Sequence, residues 1–368
     1  MTRRTLLLGG AALAHAEKTP VKTDLWKDGE GGYKLYRIPG VVFTSKGALL
    51  AYCEGRKSGG SDWGRIDIPL NRNGETIRMP QVEGPLSKNP VALARNLAQP
   101  DAITYNNPVA IADRNGRVHF LFCLEYMRAF YTSSGDDGRT WSKPVEITAC
   151  FDGFRPEYPW RVIATGPGHG IQLRNGRLIV PIWMSTGTGG NGHRPSLAAT
   201  IYSDDHGQTW KRGAIALPNT EEQANPSETV AAELTDGRVM LNARSESKAR
   251  RRLVTISKDG ASGWSEPRFQ QELIEPVCFG SIVRAEKALV FANPDDPKLR
   301  RNLTIRLSKD NGQTWPVKRV LDTGWAGYSD LAARGREVVC LYERGAAGED
   351  HFKTHALTLA RFPLSWIR

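Results

Sequence analysis

The chain has 368 residues, of which 40% are hydrophobic and 24% charged, with a formal net charge of +11. This balance excludes a disordered tail, a collagen-like repeat and a small disulfide scaffold, and fits a globular chain with enough length to bury a sizeable core. The positive excess favours acidic partners, but no helix-turn-helix, zinc-finger or RNP-like pattern accompanies it, so nucleic acid is not indicated.

Residues 1–16 read as an export signal. Arg3 and Arg4 precede an apolar run from Leu6 to Ala14, and Ala14-His15-Ala16 fits a small-residue cleavage site. The arginine pair suggests the twin-arginine route and a periplasmic or secreted product. The run is too short for a permanent membrane span, and no other stretch is long enough for one. The mature fold is expected over residues 20–368.

Beyond residue 20 a turn followed by an apolar strand recurs six times. Lys46-Gly47 precedes ALLAYCE, Asn115-Gly116 precedes RVHFLF, and Asn175-Gly176 precedes RLIVPIW; Asp236-Gly237 precedes RVMLNAR, Glu286-Lys287 precedes ALVFAN, and Arg336 precedes EVVCLYE. Such turns before β-branched runs are strand-entry signals. A second repeat interleaves with the first: Ser134-x-Asp136-x-Gly138-x-Thr140-Trp141 returns at Ser203–Trp210 and Ser308–Trp315, with a decayed copy from Ser257 to Trp264. The Asp suits a tight hairpin and the Trp packs between strands, so these boxes are structural. Helical periodicity of useful length is absent. The fold class is therefore all-β: a six-bladed β-propeller of four-stranded antiparallel sheets forming one domain.

Five cysteines lie at Cys53, Cys123, Cys150, Cys278 and Cys340, none in a C-x-x-C pair. Their odd count leaves at least one thiol unpaired in a monomer, and no zinc site or cofactor is indicated. Cys53, Cys123 and Cys340 fall in apolar strand runs and read as buried thiols. The densest basic run, Lys248 with Arg250, Arg251 and Arg252, reads as an exposed loop between strands.

Tyr36-Arg37-Ile38-Pro39, GPGHGIQLRNGRLIVP over 166–181, the stretch from Glu228 to Arg244, RNLTIRLSKDNGQTW over 301–315 and GYSDL over 327–331 occur in that order. Together with the boxes they resemble the bacterial exo-α-sialidase (neuraminidase) family with Asp-box, or BNR, repeats. The resemblance implies a glycoside hydrolase that releases terminal sialic acid from glycans with retention and without a cofactor or metal. The chemistry is coherent. The substrate's own carboxylate would repel a carboxylate nucleophile, and a neutral phenol avoids this. Tyr328 matches the family's nucleophile, and Glu228 its base, since a phenol of pKa near 10 needs one. Arg37, Arg244 and Arg300 match the arginines that bind the substrate carboxylate, with Arg301 a competing choice for the third. Glu343 matches the acid that braces the first arginine. Asp62 matches the acid/base aspartate, a role that calls for a raised pKa.

The chain departs from the family pattern at Arg65 and Pro69, and over residues 70–101 no box is recognisable. Pro80, Pro85, Pro90 and Pro100 make this a long or reshaped loop near the site. Trp63, Trp183 and Trp325 are candidates for sugar contact. Three alternatives stay open: specificity for another nonulosonic acid such as Kdn, a transferase or intramolecular variant, and a non-catalytic sialoglycan-binding propeller.

Overall fold

The computed structural model describes residues 19–83, 87–98, 101–346 and 353–367. The expected export signal at 1–16 lies outside the described residues. The fold is all-β, with its sheets arranged as the blades of a propeller.

The recurrent apolar runs become middle strands. Val118–Leu124 and Leu178–Ser185 are buried at every residue, because each sheet is covered by its neighbours on both faces. The turn before Val118 needs a left-handed residue, which Gly116 supplies at a φ of 91°. Each middle strand then pairs antiparallel with the strand that follows it: Val118–Leu124 with Arg128–Ser134, Leu178–Ser185 with Ser196–Ser203, and Val239–Ala243 with Arg251–Ser257. Apolar clusters fill the spaces between adjacent sheets, such as the one joining Leu121 and Phe151 to Ile182 and Ile201.

Five hydrogen-bonded sheets form among the described residues, rather than six equal ones. The largest has seven strands because Val317–Arg334 belongs to two meanders. Its first part pairs with Arg301–Ser308 and its second with Glu337–Arg344. The outermost strand of this sheet is the N-terminal one: Val21–Lys27 pairs with the C-terminal Ala356–Pro363. Two contacts among the described residues are parallel: Gly168–His169 runs beside Val109–Ala110, and Ile66 bridges Thr104.

The three intact boxes share one geometry. In the first, the Ser134 hydroxyl donates to Asp136 at 2.8 Å, and the Thr140 hydroxyl and amide donate to the same carboxylate at 2.6 and 2.9 Å. The decayed copy keeps the Ser257–Asp259 bond at 3.0 Å. One reading of the sequence is extended and one needs correction. All five cysteines are buried and unbridged, Cys150 and Cys278 included. The basic run is not wholly an exposed loop: Arg252 is fully buried, where Glu275 at 2.9 Å and Asn242 at 2.6 Å satisfy its guanidinium.

The atypical stretch is only partly loop. Glu75–Arg78 adds an edge strand, and Pro90–Ala94 forms a short helix capped by the Asn89 side chain, with Pro90 at its start. Val91 and Ala92 of that helix pack with Trp63, Tyr126 and Trp183.

Candidate active site

Arg37 lies in the innermost strand of its sheet, Tyr328 in the strand Val317–Arg334, and Glu228 immediately before the strand Thr229–Glu233. With Asp62, Arg244 and Arg300 they line one cavity of about 190 Å³. Ile38, Asn107, Tyr126, Trp183 and His193 complete the lining.

Its centre is a three-membered contact. The Tyr328 hydroxyl donates to Glu228 Oε1 at 2.7 Å, and Arg244 Nη1 donates to Glu228 Oε2 at 2.5 Å and also to the phenol oxygen. Burial raises the phenol's pKa well above its ordinary value, and Glu228 adds to this against the opposing pull of Arg244. Tyr328 is therefore a neutral phenol whose proton already points at a carboxylate. The guanidinium of Arg37 lies 5.5 Å from the centre of the same ring and that of Arg300 5.2 Å away.

Glu343 ties these parts together. Its side chain is fully buried and accepts from Arg37 Nε at 2.6 Å, from the Ile38 amide at 3.1 Å and from the Tyr328 amide at 3.0 Å. Burial works against the Glu343 charge, but Arg37 outweighs it and the pKa falls below the ordinary glutamate value. One carboxylate thus fixes an arginine and the backbone of the tyrosine. The neighbouring Gly327 has no Cβ because the Glu343 carboxylate occupies the space where one would stand.

Four buried nitrogens of the cavity lining have no partner: Nε of Arg244 and of Arg300, Nε1 of Trp183 and Nε2 of His193. Buried donors seldom stay unpaired, and a concentration of them in a polar cavity marks a place prepared for an acceptor. Arg300 spends one nitrogen on the Val277 carbonyl at 3.0 Å. Arg301 instead pairs with Asp296 at 2.7 Å, away from the cavity lining.

The chain matches a known family over most of its length. The family model for a BNR repeat-like domain matches residues 47–339. A sialidase of Micromonospora viridifaciens is 31% identical over 94% of this chain, and sialidase-2 of Mus musculus is 30% identical over 90% of this chain and 94% of its own length. The chain belongs to the sialidase family. It spans 54% of the length of the Micromonospora relative. Among solved structures, the Hadza microbial sialidase Hz136 superposes with a TM-score of 0.75 at 28% identity, covering 94% of this chain and 69% of that one.

Within this sialidase scaffold Asp62 differs from expectation. Its carboxylate pairs with Arg56 at 2.8 Å and is 47% exposed at the cavity mouth. Burial pushes its pKa up, but Arg56, His193 and Arg37 outweigh that and hold it down at about 2. The raised pKa expected from the sequence is absent in this structure. Arg56 is the cause and was not singled out from the sequence. It is buried and held in place by Glu54 at 2.7 Å and the Gly60 carbonyl at 2.8 Å. A signal for it existed: Glu54 and Arg56 stand two apart in an otherwise apolar strand, hence on one face. Tyr126 and His193 carried no comparable signal.

Of the tryptophans proposed for sugar contact, Trp183 lines the cavity. Trp63 lies behind it, stacked on His193 at 5.4 Å, and Trp325 is buried against Gly345. Among the described residues no group of three His, Cys, Asp or Glu side chains could hold a metal ion, and no helix is long and apolar enough to cross a membrane.

Proposed function

We propose that this chain is an exo-acting sialidase that hydrolyses a terminal sialic acid with retention, using Tyr328 as nucleophile. The observation that carries this reading is the Tyr328–Glu228–Arg244 contact set among arginines with unpaired donors. As the phenol oxygen attacks the anomeric carbon, its proton moves 2.7 Å to Glu228, and Arg244 supports the charge developing on oxygen. Arg37, Arg244 and Arg300 receive the sugar carboxylate. Water then cleaves the aryl glycoside, giving two inversions and net retention.

Asp62 serves as acid and then base. Its carboxyl is held down partly by Arg37. A substrate carboxylate docked on that arginine offsets the positive field, so binding itself raises the Asp62 pKa toward the value an acid needs. The enclosed volume of about 190 Å³ lies below the ~300 Å³ lower bound of drug-sized sites. It suits one terminal sugar with the remainder of the glycan in solvent. We count the seven-stranded sheet as two blades sharing Val317–Arg334, which gives six blades around the cavity.

The test is hydrolysis of 4-methylumbelliferyl sialic acid, with the anomer first released identified by NMR. Tyr328→Phe is expected to lower kcat by roughly a thousandfold or more with an unchanged melting temperature. Full activity in that variant, or first release of the inverted anomer, would remove the mechanism. Binding without turnover by the wild-type chain would leave a sialoglycan-binding propeller in its place.

A further inference from the structure

The connection between strands Val118–Leu124 and Arg128–Ser134 contains two consecutive left-handed residues, neither of them glycine. Glu125 has a φ of 57° and Tyr126 of 51°. Bulky side chains avoid this region, and where it persists the surroundings must over-determine it.

They do so here. The Glu125 carboxylate, almost fully buried, accepts from Lys88 Nζ at 2.8 Å and from the Thr104 amide at 2.9 Å. The Tyr126 amide donates to Asn106 at 3.2 Å, and its carbonyl accepts from the Ile163 amide at 2.8 Å and the Asn89 side chain at 3.3 Å. Lys88 and Asn89 belong to the stretch where the chain departs from its family's pattern. That stretch is therefore occupied in pinning a strained turn.

The turn delivers a tyrosine into the cavity lining. Tyr126 is 3% exposed, with its ring 4.6 Å from Trp63 and 4.9 Å from His193. Its hydroxyl makes no hydrogen bond to the described residues and, unlike the buried unpaired nitrogens of the lining, stays accessible from the cavity, where it is free to bond a ligand. Burial, with Glu54, Asp62 and Glu228 acting against Arg56, raises this phenol's pKa well above its ordinary value, so the hydroxyl keeps its proton and can donate to a hydroxyl or carbonyl oxygen.

Building on the sialidase reading, we propose that Tyr126 is a specificity-determining residue whose hydroxyl bonds a neutral hydroxyl or amide substituent of the bound sugar. Lys88 acts through Glu125 as a positioning residue for it. Strain and an unspent polar group coincide at one side chain, and a sugar substituent accounts for both.

Tyr126→Phe removes only the oxygen. With 4-methylumbelliferyl sialic acid it is expected to raise KM about three- to tenfold, with little change in kcat or melting temperature. Lys88→Met is expected to raise KM on its own and to add nothing in the Tyr126→Phe background. An unchanged KM in Tyr126→Phe overturns the contact, and additive effects of the two substitutions overturn the positioning role. Calorimetric binding of the inhibitor DANA separates this proposal from the hydrolase reading. If the wild type binds DANA without turnover and Tyr126→Phe binds it more weakly, the hydrolase reading falls and the contact stands. If the wild type turns over substrate but Tyr126→Phe matches it in KM and in DANA affinity, the contact falls and the hydrolase reading stands. Absence of both turnover and DANA binding overturns the two together.

Discussion

The box at Asp136 and the cluster at Glu228 are both carboxylates surrounded by donors, and they are built in opposite ways. Asp136 takes its bonds from Ser134, Arg139 and Thr140, all within four residues, and its donors are fully used within the turn. Glu228 meets Tyr328 from 100 residues away, and Arg37 meets Glu343 from 306. That cluster leaves Nε of Arg244 and Nε of Arg300 buried and unpaired. A polar group that closes on itself locally stabilises a turn. One assembled from remote strands with donors left over is a site awaiting an acceptor.

The sharpest way to break this contrast is to unbalance the remote cluster. Glu343→Ala leaves Arg37 without its counter-charge and removes acceptors from two backbone amides, which should cost about 3–5 kcal/mol in urea unfolding. A loss below about 1 kcal/mol would mean that the brace is idle. Next in size, Arg300→Ala should raise KM for an aryl sialoside at least tenfold, as expected for loss of a charged hydrogen bond. Arg301→Ala, whose partner Asp296 lies outside the cavity lining, should leave KM within about twofold. Equal effects from the two would erase the distinction between them.

The smallest effect belongs to the boxes. Slight burial of Asp205 pushes its pKa up, but the Thr209 hydroxyl and amide and the Ser203 hydroxyl outweigh this and hold it at about 2. A depressed carboxylate contributes stability that is present above its unfolded pKa of about 3.9 and is lost as pH falls through the folded value. Asp205→Asn should therefore lower the melting temperature slightly at pH 7, by no more than about 1 kcal/mol equivalent because the group is only half-buried and solvent screens it. The two curves should converge between about pH 4 and pH 2. A constant gap down to pH 2 would assign the loss to geometry rather than charge.

What could be read from the sequence follows the same division. Strand runs and boxes are legible because turn, strand and tryptophan lie within a few residues and repeat. Grouping Tyr328 with Glu228 needed the ordered motifs, since no local pattern links residues a hundred positions apart. Sheet count was harder. Val317–Arg334 continues through Thr323 and Gly324, where the sequence offers a break, because register shifts let it serve two neighbours in turn. Arg252 was misplaced because its partner Glu275 lies on another segment, and a basic run read alone looks solvated. The Asp62 pKa failed for a related reason: proximity to Arg56 decides its sign, and only the folded loop sets that distance.

The pairing of Val21–Lys27 with Ala356–Pro363 has a consequence for biogenesis. A ribosome must release the chain through residue 363 before its first strand can find its partner, so the ring closes only after that last strand has emerged. Asp330, two residues past Tyr328, accepts from the Val41 amide at 2.9 Å, the Ser281 hydroxyl at 2.7 Å and His169 at 2.8 Å. A nascent chain stalled short of residue 356 would thus carry every side chain that lines the cavity, with Asp330 able to tie three of its segments together, while the ring still lacked the pairing that closes it.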